Sequence, residues 1–361
     1  MKSFLQPARE HRLDRLADTA LWLVAMLHVL AATLFLFVLL SLSPASAAEE
    51  PACGGENLLL RMQASDPAAY GRLLAEAQAT PNSQGIFWKI EKAGIAPSYL
   101  LGTMHVTDPR VLAMPDGARA AYDKAETVVV ESDEIADERK ASAALLARPD
   151  LTMFTDGRTI TGLLGEKDAA ILAEGLKARG MSLAAVSRMK PWMIASFVAL
   201  PACEMARKQA GAAFLDQKLA KDAIASGKTL KGLETLLEQI TALDALPVEP
   251  QLAGLVQTVE LRDGINDVIE TMSQLYLAGA TGMIMPMMRA AVPEGEGDAV
   301  AYADFEQRII IDRNHRMAER AAPILAGGNA FVAVGALHLP GNEGLIELLR
   351  LKGFTLTAVG K

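Results

Sequence analysis

Two of the five histidines stand in the same local setting near opposite ends of a 361-residue chain. One closes the run Ser98-Tyr-Leu-Leu-Gly102-Thr-Met-His105, and the other closes Phe331-Val-Ala-Val-Gly335-Ala-Leu-His338. Each is a short apolar run, then Gly-x-x-His, then a loop containing proline, then a helical pattern. Around them stand Glu131, at the end of a β-branched run with Asp133 two residues on, Glu234, at the end of a mid-chain run, and the pair Arg313-Asn314. Imidazole nitrogens with a carboxylate suit a first-row divalent ion such as Mn²⁺, Co²⁺ or Zn²⁺. Such an ion brings the pKa of its bound water to near 7 and polarises a carbonyl. A free carboxylate could serve as general base and an arginine could stabilise the oxyanion.

Each residue also has a structural explanation. A single histidine after a strand is commonly a satisfied packing residue. Glu131 could cap the following helix, and Glu234 could be the acid of a helix N-terminus. The repetition of Gly-x-x-His after two apolar runs is what favours chemistry. His315 reads as part of a solvated helix face, and His11 and His28 fall in the N-terminal segment. No HExxH, CxxC, P-loop or G-x-S-x-G pattern is present, which argues against ordinary zincin, redox, nucleotide-hydrolase and serine-hydrolase chemistry.

The elements that must position these groups alternate between strand and helix. Ile86–Glu91 and Ser98–Gly102 read as a hairpin, Asp116–Ala125 as a helix, and Thr127–Glu131 as a strand. Ala330–Gly335, Gly344–Lys352 and Phe354–Val359 repeat strand, helix and strand. The expected fold is therefore α/β: a central mixed sheet built from two similar strand-GxxH-helix-strand units, with functional residues at the carboxyl ends of strands. Between them, about 137–317, nearly everything has helical period, except a short strand Thr229–Glu234. This is read as a large helical insertion in a single domain, 48–361. Glu56–Ala79 reads as one helix, and Phe305–Arg320 as another. The methionines of Met283–Met288 read as adaptable core packing. Pro293–Asp298 reads as an acidic loop.

The first 47 residues carry Lys2, Arg9, Arg12 and Arg15, then an apolar run to about Leu42, then Ser43-Pro-Ala-Ser-Ala47. This is the pattern of a signal peptide with an Ala-x-Ala cleavage site; the alternative is a retained anchor, which would be the only link to a membrane. Either places the remainder outside the cytoplasm, in the periplasm. Two cysteines, Cys53 and Cys203, most simply form one disulfide there. The chain is 51% hydrophobic, enough for a large core, and its net charge of −8 with 5% aromatic residues makes nucleic acid an unsuitable partner.

The stretch Tyr99-Leu-Leu-Gly-Thr-Met-His-Val-Thr-Asp-Pro-Arg110 resembles the first motif of the TraB/PrgY/GumN family, to which the Tiki proteins are related. Val130-Glu-Ser-Asp133, Gly232-Leu-Glu-Thr235 with Gln239, Asp312-Arg-Asn-His-Arg-Met317 and Val334-Gly-Ala-Leu-His-Leu-Pro-Gly341 are similar to its later motifs, in order. The chain most resembles the compact, exported bacterial branch. The resemblance implies an α/β core with a helical insertion and a metal-dependent hydrolase centre. It implies His105, His338 and Glu131 at that centre, with Glu234, Arg313 and Asn314 in support. Tiki members are described as proteases trimming a secreted signalling protein, and TraB-like members are associated with shutting off a peptide pheromone. The expectation is a hydrolase acting on a peptide or a small molecule, with a metal-free variant in which the histidines act as acid and base. The alternative is a non-catalytic exported protein that sequesters a peptide or glycan.

Overall fold

The computed structural model describes residues 53–291 and 298–360. The expected signal segment at 1–47, and all but the last residue of the acidic loop Pro293–Asp298, lie outside the described residues. The strands are β1 (Phe87–Glu91), β2 (Ser98–Thr103), β3 (Thr127–Val130), β4 (Thr229–Gly232), β5 (Ala330–Gly335) and β6 (Thr355–Ala358), ordered β4-β3-β5-β2-β1-β6 in one sheet. Strands β4, β3, β5 and β2 run parallel, and β1 pairs antiparallel with both β2 and β6. The sheet is mixed, and the fold is α/β.

Side chains alternate across this sheet because successive residues of a strand point to opposite faces. In β5, Ala330, Val332 and Val334 enter one core with Leu100, Val129, Met317, Ala321, Leu345 and Leu349. Phe331 and Ala333 enter the other with Leu101, Val128, Val130, Tyr122, Leu215 and Leu219. Helices Asp312–Leu325 and Leu345–Leu351 therefore cover one face, and helices Ala118–Lys124 and Leu215–Ala225 the other. Burial on both faces explains why β2, β3 and β5 read as near-continuous apolar runs. Each fully buried large side chain here contributes roughly 1.5–3 kcal/mol.

The two expected units are present in the chain but interleaved in space. β5 lies between β2 and β3, so the link from β2 to β3 passes β5, and the link from β5 to β6 passes β2 and β1. The mid-chain helices carry a core of their own, including Leu172, Leu176, Ile194, Val198, Leu255 and Val259. Met283 and Met287 are buried against Leu59, Ala77 and Leu275, which is packing rather than a groove.

Two helices differ from expectation. Glu56–Ala79 is broken into Leu58–Ser65 and Pro67–Ala79, because Asp66 leaves helical geometry and its side chain caps Ala69 N–H, with Pro67 at the first helical position. Phe305–Arg320 is a π-helical segment, Glu306–Ile311, that runs into the α-helix Asp312–Leu325. Cys53 and Cys203 are joined by a disulfide across 150 residues of sequence. Such a bond belongs to an oxidising compartment and points to export. Among the described residues no helix is long and apolar enough to cross a membrane.

Candidate active site

The parallel strands deliver their following residues to one edge. Glu131 follows β3, Glu234 lies two residues beyond β4, and His105 and His338 follow β2 and β5. Strands β2 and β5 are direct neighbours, with Gly102 opposite Val334 and Thr103 opposite Gly335. The histidines of the two motifs therefore arrive side by side from opposite ends of the sequence.

The glycines of these motifs have a local reason. A Cβ on Gly102 would lie 2.7 Å from Leu339 Cδ1 and 3.1 Å from Ala336 Cα, both in the second motif's turn. A Cβ on Gly335 would lie 3.1 Å from Glu131 Oε1 and 3.5 Å from His338 Cδ2. Neither glycine has a positive φ, so each is required by close approach rather than by backbone conformation.

His338 is buried, with its Nδ1 2.7 Å from Asn314 Oδ1. Asn314 Nδ2 donates to the Glu343 carbonyl at 2.8 Å, which leaves Oδ1 to accept from Nδ1–H. The lone pair of His338 then sits on Nε2, 3.7 Å from Glu131 Oε1. Burial is the main cause that lowers this histidine to about 4; Glu131 opposes it, while Arg313 and His105 add to it. His338 is thus neutral at physiological pH with a fixed tautomer, the state in which an imidazole ligates a metal or accepts a proton.

Both oxygens of Glu131 are held. Oε1 accepts the Gly335 N–H at 2.7 Å, and Oε2 accepts from Arg313 Nη2 at 2.6 Å and Gln239 Nε2 at 3.1 Å. Burial pushes the carboxyl up, but His338, Arg313, His105 and the Gly335 N–H outweigh it and bring it to about 2. Arg313 also donates from Nε to Glu234 Oε2 at 2.8 Å and from Nη1 to the Ile309 carbonyl at 3.3 Å in the π-helical segment. Arg316 donates to Glu234 Oε1 at 2.7 Å. Two buried carboxylates are thereby matched to two guanidinium groups.

His105 is the open member, with 54% of its side chain accessible. Its ring packs on Phe214, with centroids 5.0 Å apart, and its Nε2 is 3.7 Å from Asp216 Oδ2. Its surroundings oppose the proton, yet the Asp216 carboxylate dominates and raises His105 to about 9. Water reaching the ring screens part of that attraction. The loop after His105 is fastened by buried Glu204, whose Oε2 accepts from both the backbone N–H and the hydroxyl of Thr107 at 2.7 Å.

His105, Glu131, Arg313 and His338 line one cavity of about 230 Å³. Met272, Tyr276, Ile284, Phe305, Ile309 and Ile310 form its apolar wall. Glu234 and Asn314 do not line it: Glu234 holds Arg313 and Arg316, and Asn314 orients His338. Asp133 is exposed, and His315 pairs with Glu343 on the surface. Among the described residues, no three side chains of ligating type already converge on a point that could hold an ion. Such side chains approach one another here as two pairs, His338 with Glu131 and His105 with Asp216, each 3.7 Å apart.

Sequence reasoning passed over Asp216, Phe214, Glu204 and Tyr276. Asp216 and Glu204 each sit in the first turn of a helix, where an acid ordinarily complements the helix dipole. Their burial, at 2% and 1% accessibility, is what separates them from that ordinary role. Gln239, visible in sequence as part of the Gly-Leu-Glu-Thr motif, proves to be a direct partner of Glu131.

Fold and site together define an α/β protein with a histidine–carboxylate–arginine centre at the carboxyl edge of its parallel strands. The chain belongs to the TraB/PrgY/gumN family, whose model matches residues 86–358. It is 25% identical over 299 residues to Metalloprotease TIKI2 of Danio rerio, covering 72% of this chain and 57% of that one. It is 26% identical over 322 residues to Metalloprotease TIKI1 of Danio rerio, covering 76% and 63%. It is 24% identical over 323 residues to Metalloprotease TIKI homolog of Nematostella vectensis, covering 77% and 68%. The chain thus spans under two thirds of the length of both Danio rerio proteins. No solved structure gives a significant match.

Proposed function

We propose that this chain is an exported, periplasmic, metal-dependent hydrolase that cleaves peptide bonds. The observation that carries the reading is the meeting of His105, Glu131, Arg313 and His338 around one cavity, in a family whose relatives above are named metalloproteases. His105, His338 and Glu131 would hold a divalent ion, Mn²⁺, Co²⁺ or Zn²⁺. When bound, the ion supplies an acidified water and an electrophile for the scissile carbonyl. Asn314 keeps the His338 Nε2 lone pair directed at the site. Arg313 keeps Glu131 ionised and carries positive charge to the cavity wall. Glu234 fixes Arg313 from behind. The apolar wall excludes water and accepts an apolar side chain of an extended peptide. Residues 1–47 act as the export signal.

A peptide library incubated with the purified protein, with cleavage read by mass spectrometry, tests this. Products are expected with added Mn²⁺, Co²⁺ or Zn²⁺ and should vanish on chelation. His338→Ala and Glu131→Gln should each lose activity by on the order of 100-fold or more. Cleavage that survives exhaustive chelation overturns the metal, and cleavage that survives both substitutions overturns the site.

A further inference from the structure

Asp216 is a buried acid that faces the half-exposed His105 rather than a guanidinium group. Its Oδ1 accepts from the Thr103 hydroxyl at 2.7 Å, and Thr103 is the last residue of β2. Among the described residues, its Oδ2 is the buried side-chain polar atom without a hydrogen-bond partner. That oxygen faces His105 Nε2 at 3.7 Å, longer than a hydrogen bond. Glu131 and Glu234 are held by guanidinium groups at hydrogen-bond distance, whereas the cationic group that faces Asp216 is His105, 3.7 Å from Oδ2, so this carboxylate at 2% accessibility keeps one oxygen unbonded. Two atoms bound to one ion at roughly 2.0–2.2 Å are separated by about 3.3–3.6 Å at a tetrahedral angle. The His105–Asp216 separation is close to that spacing and equals that of the His338–Glu131 pair.

We infer that Asp216 is a metal ligand paired with His105, supplying the anionic oxygen that Glu131, committed to Arg313, supplies only in part. Thr103 is the positioning residue: its hydroxyl holds Oδ1 and aims Oδ2 at the site. The helical insertion would then be part of the centre, because it donates a ligand. The inference rests on the metal-dependent reading above.

Titration of the metal-free protein with Co²⁺, followed by calorimetry and by the visible absorption of the bound ion, tests it. Asp216→Asn keeps the shape and removes the charge. It should weaken Co²⁺ binding by on the order of 100-fold and alter the absorption bands, while the metal-free protein remains folded by circular dichroism. Thr103→Val, a milder change, should weaken binding by roughly 10-fold. Parent affinity and parent spectrum in Asp216→Asn overturn the assignment while leaving the metal reading intact. Should that variant fail to fold, parent-like binding by Thr103→Val overturns it equally. A parent protein that binds neither Co²⁺, Mn²⁺ nor Zn²⁺ overturns both readings.

Discussion

Replacing Arg313 with methionine probes the buried charge arrangement directly. Arg313 is 11% exposed at its side chain and bridges Glu131 and Glu234, which are 9% and 0% exposed. Methionine fills similar length but leaves Glu131 with Gln239 and the Gly335 N–H alone, while Glu234 keeps Arg316. Removing one member of a buried ion pair costs about 3–5 kcal/mol, and the surviving partners place this case near 3 kcal/mol. For a domain of this size that is a fall in Tm of about 6–10 °C. The cost should depend on pH in a defined sense. In the parent, Glu131 is held at about 2, below its ordinary 4.5, so its contribution is fully present above pH 4.5 and lost as pH falls towards 2. In Arg313→Met the carboxyl is unpaired and its pKa rises. The stability gap between parent and variant should therefore be widest near neutrality and narrow steadily as the pH is lowered. Urea unfolding of the metal-free proteins from about pH 7.5 down to about pH 3 measures it. A gap under about 1 kcal/mol at pH 7, the value typical of an exposed pair, would refute the reasoning, as would a gap independent of pH.

Three further outcomes follow from the same structure. Gly335→Ala should cost about 1–2 kcal/mol in thermal unfolding and misplace Glu131, since the new Cβ would lie 3.1 Å from Oε1; an unchanged melt and unchanged metal affinity would contradict the close approach. The Cys53→Ser/Cys203→Ser protein should lose up to roughly 4–5 kcal/mol, because the bond closes a loop of 150 residues of sequence separation, and urea midpoints with and without reductant check it. In the metal-free protein, His338 should titrate near 4 and His105 near 9 by ring NMR. The neutral His338 makes its contribution to stability above pH 6.5 and loses it as pH falls towards 4, whereas the His105 contribution is present below 6.5 and fades as pH rises through 9; a His338 that titrates at 6.5 would contradict its burial.

The strands were readable because their cause is local. Thr127–Val130 and Ala330–Gly335 are β-branched or apolar runs bounded by loop residues, and burial on both faces removes the polar alternation that would have obscured them. Their order was not readable, because nothing in β5 itself says that it slots between β2 and β3. The break at Asp66-Pro67 was written in the residues, since proline restricts the residue before it, but the apolar period on either side masked it. The site divides in the same way. His105, His338 and Glu131 stand out because each follows a strand. Asp216 does not, because an acid in a first helical turn looks identical whether it faces water or a neighbouring strand. Only the packing of helix Leu215–Ala225 on the sheet, which buries Leu215, Leu219, Ala220 and Ala223, turns Asp216 inward beside Thr103.

The repeated Gly-x-x-His pattern has a cause that neither copy shows alone. Gly102, in the first motif, is kept bare by Ala336 and Leu339 of the second. Gly335, in the second, is kept bare by Glu131, which enters from a third strand and accepts its N–H. Each glycine is thus fixed by a segment remote in sequence, Gly102 by the turn of the second motif and Gly335 by Glu131. If the motifs served separate structural roles, a side chain on one glycine would disturb its own histidine only. In this arrangement a methyl group on Gly102 presses on the turn that carries His338. The Gly102→Ala protein should therefore shift the His338 ring resonances and weaken metal binding, while His105, which lies in the substituted motif, is less affected. NMR of the two imidazoles separates these outcomes, and a perturbation confined to His105 would sink the claim that the motifs form a single unit.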